Sequence, residues 1–208
     1  MVRTSGLVTL WVWISVVLVV QPLQAQSRVG TNVVYGMYSG LALLMDVYYP
    51  EKPNGHGIVY IVGSGWHAPL SYGAWQLKEE EGDDARPGAR AASLLDAGYT
   101  VFVINHRAAP RFRYPAPVED AQRAVRFIRH HAERYGINPE RIGGVGHSSG
   151  GHLVAMLGTL DGTGDASDPD LVNRESAKIQ CVVALAAPAS WRCRTYSRMR
   201  SVVISKAR

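Results

Sequence analysis

The segment between positions 141 and 158 constrains the fold of this chain more than any other part of it. A short strand is predicted from Arg141 to Val145, and a glycine-framed turn with Ser148 at its tip follows it directly. From Ser149 to Leu160 the sequence is typical of a helix. A strand that turns at once into a helix indicates an α/β protein, in which strands alternate with helices.

The turn has the spacing of a nucleophile elbow. Gly146 and Gly150 stand two residues either side of Ser148, in the order G-x-S-x-G. Glycine leaves room at these positions where a β-carbon would clash, and the start of the helix adds partial positive charge beside the serine. The pattern therefore predicts that Ser148 acts as a nucleophile, and that the N–H of Ser149 faces a developing oxyanion.

Alternating segments of strand and helix continue along the rest of the chain. Strands are predicted at 41–49, 57–62, 99–105 and 179–186, and helices at 88–97 and 117–135. Strands separated by helices predict a parallel sheet with helices on both faces. Because ligands bind at the carboxyl ends of such strands, Ser148 and the loop at 63–66 are expected to face one crevice.

The two ends of the chain differ from its body. Arg3 precedes an apolar run from Leu7 to Val20, which is shorter than a transmembrane helix needs. Ala25 is a small residue at which a signal peptidase could cleave. We expect residues 1–25 to be a signal peptide and the protein to be secreted or periplasmic. An uncleaved N-terminal membrane anchor is the alternative, and no membrane contact is expected after cleavage.

The net charge of +5 comes from the other end. Residues 192–208 form an atypical basic tail with six basic and no acidic side chains, and the remainder carries 16 basic and 17 acidic residues. This near-neutral body gives no indication of a nucleic-acid partner. No metal is expected, because His147 and His152 have no third ligand at suitable spacing. A dinucleotide cofactor is disfavoured because Ser149 stands where its fingerprint needs glycine.

Several stretches, taken in their order and spacing, resemble one family. They are Asp46–Pro50, Ile58–Trp66, Val103–Pro110, Tyr114–Arg129, Tyr135–Ile142 and the elbow. They are similar to α/β-hydrolases of the secreted esterase/lipase type, in the branch that includes the BD-FAE, or feruloyl-esterase-like, carbohydrate esterases. The resemblance implies an α/β-hydrolase domain over residues 26–191 that needs no cofactor and cleaves a small-molecule or carbohydrate ester with Ser148. A serine peptidase of the same fold is the alternative.

The resemblance also implies an oxyanion hole in the loop after an early strand, where this family often has H-G-G-G-W. The matching residues here run from Val62 to Trp66, with Ser64 in place of one glycine. Such a hole is made of backbone amides, so a changed side chain is compatible with it. We expect the amides of Ser64, Gly65 and Ser149 to form it, each contributing on the order of 3 kcal/mol. The alternative is a loop that serves only to reverse the chain.

In this family the acid and the histidine follow the nucleophile in chain order. No histidine follows His152 here. With the basic tail, this indicates a truncated or frameshifted product that lacks the last strands and helices and leaves an open sheet edge at 179–186. We expect impaired activity or a catalytically dead fragment, unless His67 or His106 substitutes as the base.

Overall fold

The computed structural model describes residues 29–38, 40–68 and 91–188, together with the backbone of 202–205. The strands are β1 Val29–Tyr38, β2 Leu41–Tyr48, β3 Gly57–Ile61, β4 Thr100–Ile104, β5 Ile142–His147, β6 Cys181–Leu185 and β7 Val202–Ser205. The helices are α1 Ala92–Asp96, α2 Ala116–His130, α3 Ala132–Tyr135 and α4 Ser149–Thr159, with a 3-10 turn at Leu171–Arg174. The predicted signal peptide and most of the basic tail lie outside the described residues.

The strands form one sheet in the order β1-β2-β4-β3-β5-β6-β7. The four strands β4, β3, β5 and β6 at its centre are parallel, whereas β1, β2 and β7 are antiparallel to their neighbours. The predicted α/β class is therefore confirmed, with a mixed sheet rather than a parallel one throughout. Only two residues separate β1 from β2, which leaves no length for the crossover that a parallel pair requires.

The sheet edge at β6 is paired, so the expectation of an open edge there is wrong. In the antiparallel pairing, Cys181 of β6 lies opposite Ser205 of β7. The sequence pattern did not indicate β7, because this four-residue strand stands within a basic segment. Nor did the pattern indicate β1, in which register shifts after Gly30 and Val34 interrupt the alternation that identifies a strand.

Helices cover both faces of the sheet, because successive strand residues point to opposite sides. On one face, Val59, Ile61, Phe102 and Ile104 pack with buried residues of α2 and α4. On the other face, Ile58, Tyr60, Val101 and Val103 pack with Ala91 and the α1 leucines. The helix predicted at 117–135 is two helices, since the backbone leaves the helical region at His131. No helix in the described ranges combines the length and hydropathy that a membrane span would need.

Three arginines on α2 bind the loop that follows α4, and we call these contacts the arginine clasp. Arg123 pairs with Asp170 at 2.7 Å and donates to the side chain of Asn173 at 2.7 Å. Arg126 donates to the carbonyls of Thr163 and Glu175. Arg129 is 7% exposed and donates to the carbonyls of Pro139, Ser176 and Lys178. The clasp fixes the loop from 161 to 178 to the α2 side of the sheet.

Candidate active site

Ser148 lies at the junction between β5 and α4, at the carboxyl end of a central strand. It is the N-cap of α4, with φ 52° and ψ −123°, a positive φ that residues other than glycine adopt rarely. Its N–H donates to the Leu185 carbonyl at 2.8 Å, and its own carbonyl accepts from the His152 N–H at 3.0 Å. These bonds hold the serine in the sharp strand-to-helix turn that the motif predicts.

The elbow glycines stand where the main chain leaves no space for a side chain. A β-carbon on Gly150 would overlap the carbonyl oxygen of Ile61, at the end of β3, and lie 2.9 Å from that of Val62. A β-carbon on Gly146 would lie 2.5 Å from the carbonyl carbon of Gly150. These distances are shorter than real contacts allow, so only glycine lets the elbow close against β3.

The loop after β3 packs directly on the elbow. A β-carbon on Gly63 would lie 2.9 Å from the Ser148 β-carbon. The loop then turns tightly, with the His67 N–H donating to the Ser64 carbonyl at 3.1 Å. Both central residues of this turn have positive φ, 62° at Gly65 and 59° at Trp66, which is the signature of a type I′ turn. The loop at 63–66 and the serine therefore share one crevice, as their positions at the carboxyl ends of two parallel strands predicted.

Of the three amides expected to form an oxyanion hole, one is already engaged. The Ser64 N–H donates to the Oγ of Ser149 at 2.8 Å, and Ser149 is 1% exposed. In this arrangement the Ser64 amide is not open to an oxyanion. Among the residues that the structure describes, the N–H groups of Gly65 and Ser149 donate to no acceptor. These two amides, one from the loop and one from α4, are the donors the geometry leaves available.

Three histidines considered for the site, His152, His67 and His106, lie in different environments. His152, one turn after Ser148, places its ring edge-on to Trp66 with centroids 5.3 Å apart, and burial lowers the pKa of its imidazole. The Nδ1 of His67 is 2.7 Å from the carbonyl of Gly65 in its own turn. His106 is 1% exposed, and burial lowers its pKa. A base that exchanges protons with a substrate needs access, so His106 is not a suitable substitute base.

An apolar cavity of about 340 Å³ opens beside Gly65. Its walls include Trp66, Phe112, Tyr114, Val118, His152 and Leu153. An engineered apolar cavity of roughly 150 Å³ holds benzene, so this one has room for a larger acyl or aromatic group. The lowered pKa of His152 keeps that wall uncharged near neutral pH.

A buried ion pair fixes the loop between β4 and α2 that forms part of this cavity. The Asp120 carboxylate accepts from the backbone N–H of Arg107 at 2.6 Å and from its Nε at 2.9 Å, and Nη2 lies 2.7 Å away. Burial alone would lower the pKa of Arg107, but its bonds to Asp120 outweigh burial and raise it. Both residues fall in stretches that resemble the family, but the sequence pattern indicated no role for either. A charged pair 13 positions apart, across a proline-rich loop, was the available signal.

Comparison with known proteins agrees with this geometry. The BD-FAE family model matches residues 45–201. An acetylxylan esterase of Xylanibacter ruminicola is 32% identical over 117 residues, which is 56% of this chain and 22% of that protein. The carboxylesterase NlhH of Mycobacterium tuberculosis is 31% identical over 138 residues, or 65% of this chain and 39% of that protein.

Solved structures show the same similarity. A truncated form of a carbohydrate esterase from gut microbiota has a TM-score of 0.58 and 30% identity, and the match covers 74% of this chain and 54% of that one. An acetyl ester-xyloside bifunctional hydrolase from Caldicellulosiruptor lactoaceticus has a TM-score of 0.55 and 25% identity, with 73% and 54% covered. The chain thus spans about half of these structures and less than half of the curated relatives. By its matched residues and its fold, the chain belongs to the BD-FAE family.

Proposed function

We propose that this protein is a serine esterase in which Ser148 is the nucleophile. The observation that carries the proposal is the position of Ser148, held at positive φ between β5 and α4 against the loop at 63–66. Strain of this kind at a strand-to-helix turn presents a hydroxyl above the sheet. The names of the relatives, an acetylxylan esterase and a carboxylesterase, support ester bonds as the target.

In the proposed reaction the Oγ of Ser148 attacks the ester carbonyl. The resulting oxyanion accepts hydrogen bonds from the N–H groups of Gly65 and Ser149, each worth on the order of 3 kcal/mol in the transition state. The positive end of α4 adds to this stabilisation. The bond from the carbonyl carbon to the alcohol oxygen breaks, and the alcohol leaves with the proton that the Ser148 hydroxyl gave up. Water then adds to the carbonyl of the acyl-enzyme, the bond to Oγ breaks, and the acid is released as a proton from the water restores the Ser148 hydroxyl.

We propose that the apolar cavity beside Gly65 receives the apolar part of the ester. The cavity is adjacent to one oxyanion donor, and its wall residue His152 lies one turn from the nucleophile. The names of the relatives favour acyl esters of small molecules or carbohydrates. No contact in the described residues favours a peptide substrate over an ester.

Hydrolysis of p-nitrophenyl esters with acetyl, butyryl and octanoyl groups tests the proposal. We expect the protein to hydrolyse these esters, the hydrolysis to be abolished in Ser148→Ala, and acetyl-p-nitroanilide not to be cleaved. The matched control is Ser93→Ala, which removes an exposed hydroxyl from α1 on the opposite face of the sheet and is expected to hydrolyse like the wild type. Equal hydrolysis by Ser148→Ala and wild type would contradict the proposal.

We also propose that the protein is exported and that residues 1–25 are removed. The basic start, the short apolar run and the small residue at Ala25 support this. Expression with an intact N-terminus should give a mature protein outside the cytoplasm whose mass corresponds to a start at Gln26. Full-length protein in the membrane fraction would instead support an uncleaved anchor.

A further inference from the structure

We propose that Ser149 is a positioning residue whose hydroxyl determines which amides form the oxyanion hole. Its effect on reaction rate rests on the proposed esterase function, whereas the contact that it makes does not. Ser149 is the first residue of α4, directly after the nucleophile. Its side chain, rather than its backbone alone, connects the helix to the loop after β3.

The connection is a single hydrogen bond between distant parts of the chain. The Oγ of Ser149 accepts the N–H of Ser64 at 2.8 Å, across 85 positions of sequence. The side chain is 1% exposed, so water does not compete for its oxygen. A bond in such a site restrains both partners more than an exposed one would.

This bond has two consequences for the hole. It occupies the Ser64 N–H, which removes that amide from the set of oxyanion donors. It also fixes the first residue of the tight turn that ends at His67, whose N–H donates back to the Ser64 carbonyl. Because Gly65 is the next residue of that turn, the direction of the Gly65 N–H follows from where Ser64 is held. Ser149 thus supplies one donor with its own amide and orients the other donor with its hydroxyl.

The hydroxyl of Ser64 makes no corresponding contribution. Its Oγ is buried and has no hydrogen-bond partner among the residues that the structure describes. The contact therefore uses the backbone of residue 64 and the side chain of residue 149. This asymmetry provides a matched pair of variants, Ser149→Ala and Ser64→Ala, which each remove one hydroxyl from opposite sides of the same contact.

Amide hydrogen exchange at residue 64 tests the contact without any need for activity. We expect this amide to be protected in the wild type, and to exchange at least about tenfold faster in Ser149→Ala once its acceptor is gone. Ser64→Ala and Ser148→Ala should both retain the protection. Unchanged protection in Ser149→Ala would overturn the proposal, and so would equal loss in Ser64→Ala.

Inactivation by a fluorophosphonate tests the consequence for reactivity, with the maximal rate and the half-saturating concentration measured separately. Ser149→Ala frees the Ser64 N–H but no longer holds the turn that orients the Gly65 N–H, so we expect the second effect to dominate. The maximal rate should fall by about tenfold or more with the half-saturating concentration unchanged, because only the charged transition state uses the hole. Ser149→Thr, which retains a hydroxyl, should recover most of the rate. A change confined to the half-saturating concentration would overturn the positioning role. Absence of any labelling in the wild type would contradict the proposed function itself. Amide exchange at residue 64 would then still test whether the Ser149 hydroxyl holds Ser64.

Discussion

The elbow around Ser148 and the loop from 161 to 178 are held to the same core by different means. The elbow is fixed by close backbone contacts, in which Gly146 and Gly150 approach main-chain atoms too closely to allow a β-carbon. The loop is fixed by side chains, since the arginine clasp reaches out from α2 to carbonyls and acidic groups. A backbone contact leaves no tolerance for added atoms, whereas a set of hydrogen bonds weakens one bond at a time.

Gly150→Ala tests the elbow and has the largest expected effect. Its β-carbon would overlap the Ile61 carbonyl, so β3 and α4 must separate, and we expect a loss of about 3 kcal/mol or more in the free energy of unfolding. Urea denaturation measures this loss. The control is Gly30→Ala, whose β-carbon would have 3.8 Å to its nearest neighbour and should change stability by less than about 0.5 kcal/mol. Similar values for the two variants would contradict the account in which close backbone contacts fix the elbow.

Arg129→Met tests the most buried member of the clasp. The variant retains apolar volume but removes the donors to three carbonyls, and we expect a loss of about 2 kcal/mol from the unsatisfied groups. Arg134→Met, at an exposed position on α3, is the control and should be nearly neutral. A negligible effect of Arg129→Met in the same urea experiment would show that packing, rather than the clasp, holds the loop.

Arg126→Met tests the partly exposed member and has a smaller expected effect. Loss of its bonds to Thr163 and Glu175 should cost about 1 kcal/mol, because water replaces part of what is lost. The change should be local. We therefore expect the rate of limited proteolysis within 161–176 to increase by a larger factor than the rate of global unfolding. An equal increase in cleavage rate at all sites would contradict the account in which Arg126 holds this loop without affecting the rest of the fold.

A pH titration of stability separates the loop between β4 and α2 from the loop at 161–178, because each has its own ionisable group. Burial lowers the pKa of His106 below its ordinary 6.5, so the unfolded chain binds a proton first and stability falls as the pH drops below 6.5. Hydrogen bonds from Thr163 lower the pKa of Asp161 in the loop below 3.8, so its contribution is lost only below that pH. In His106→Gln the free energy of unfolding should decrease less between pH 7 and pH 5. Its decrease below pH 3.8 should be the same as in the wild type. If the free energy of unfolding decreases equally between pH 7 and pH 5 in the wild type and in His106→Gln, His106 is not the source of that decrease.

Sequence patterns predicted the elbow but not the clasp, and the reason is physical. G-x-S-x-G between a strand and a helix reports a local backbone requirement, and the structure confirms the tight approach at Gly146 and Gly150. Arg123, Arg126 and Arg129 fall on a helix rich in charge, a pattern usually typical of a solvated face, and only the tertiary fold brings their carbonyl partners to them. The bond between Ser64 and Ser149 is equally invisible, because it joins residues 85 positions apart.

Site-mapped labelling of the 208-residue protein with a fluorophosphonate tests the central claim most directly. Intact mass and peptide mapping should show one adduct, on Ser148, which is absent from Ser148→Ala and present in Ser93→Ala. An adduct on Ser64 or Ser149, or equal labelling of wild type and Ser148→Ala, would contradict the account of Ser148 as the presented nucleophile.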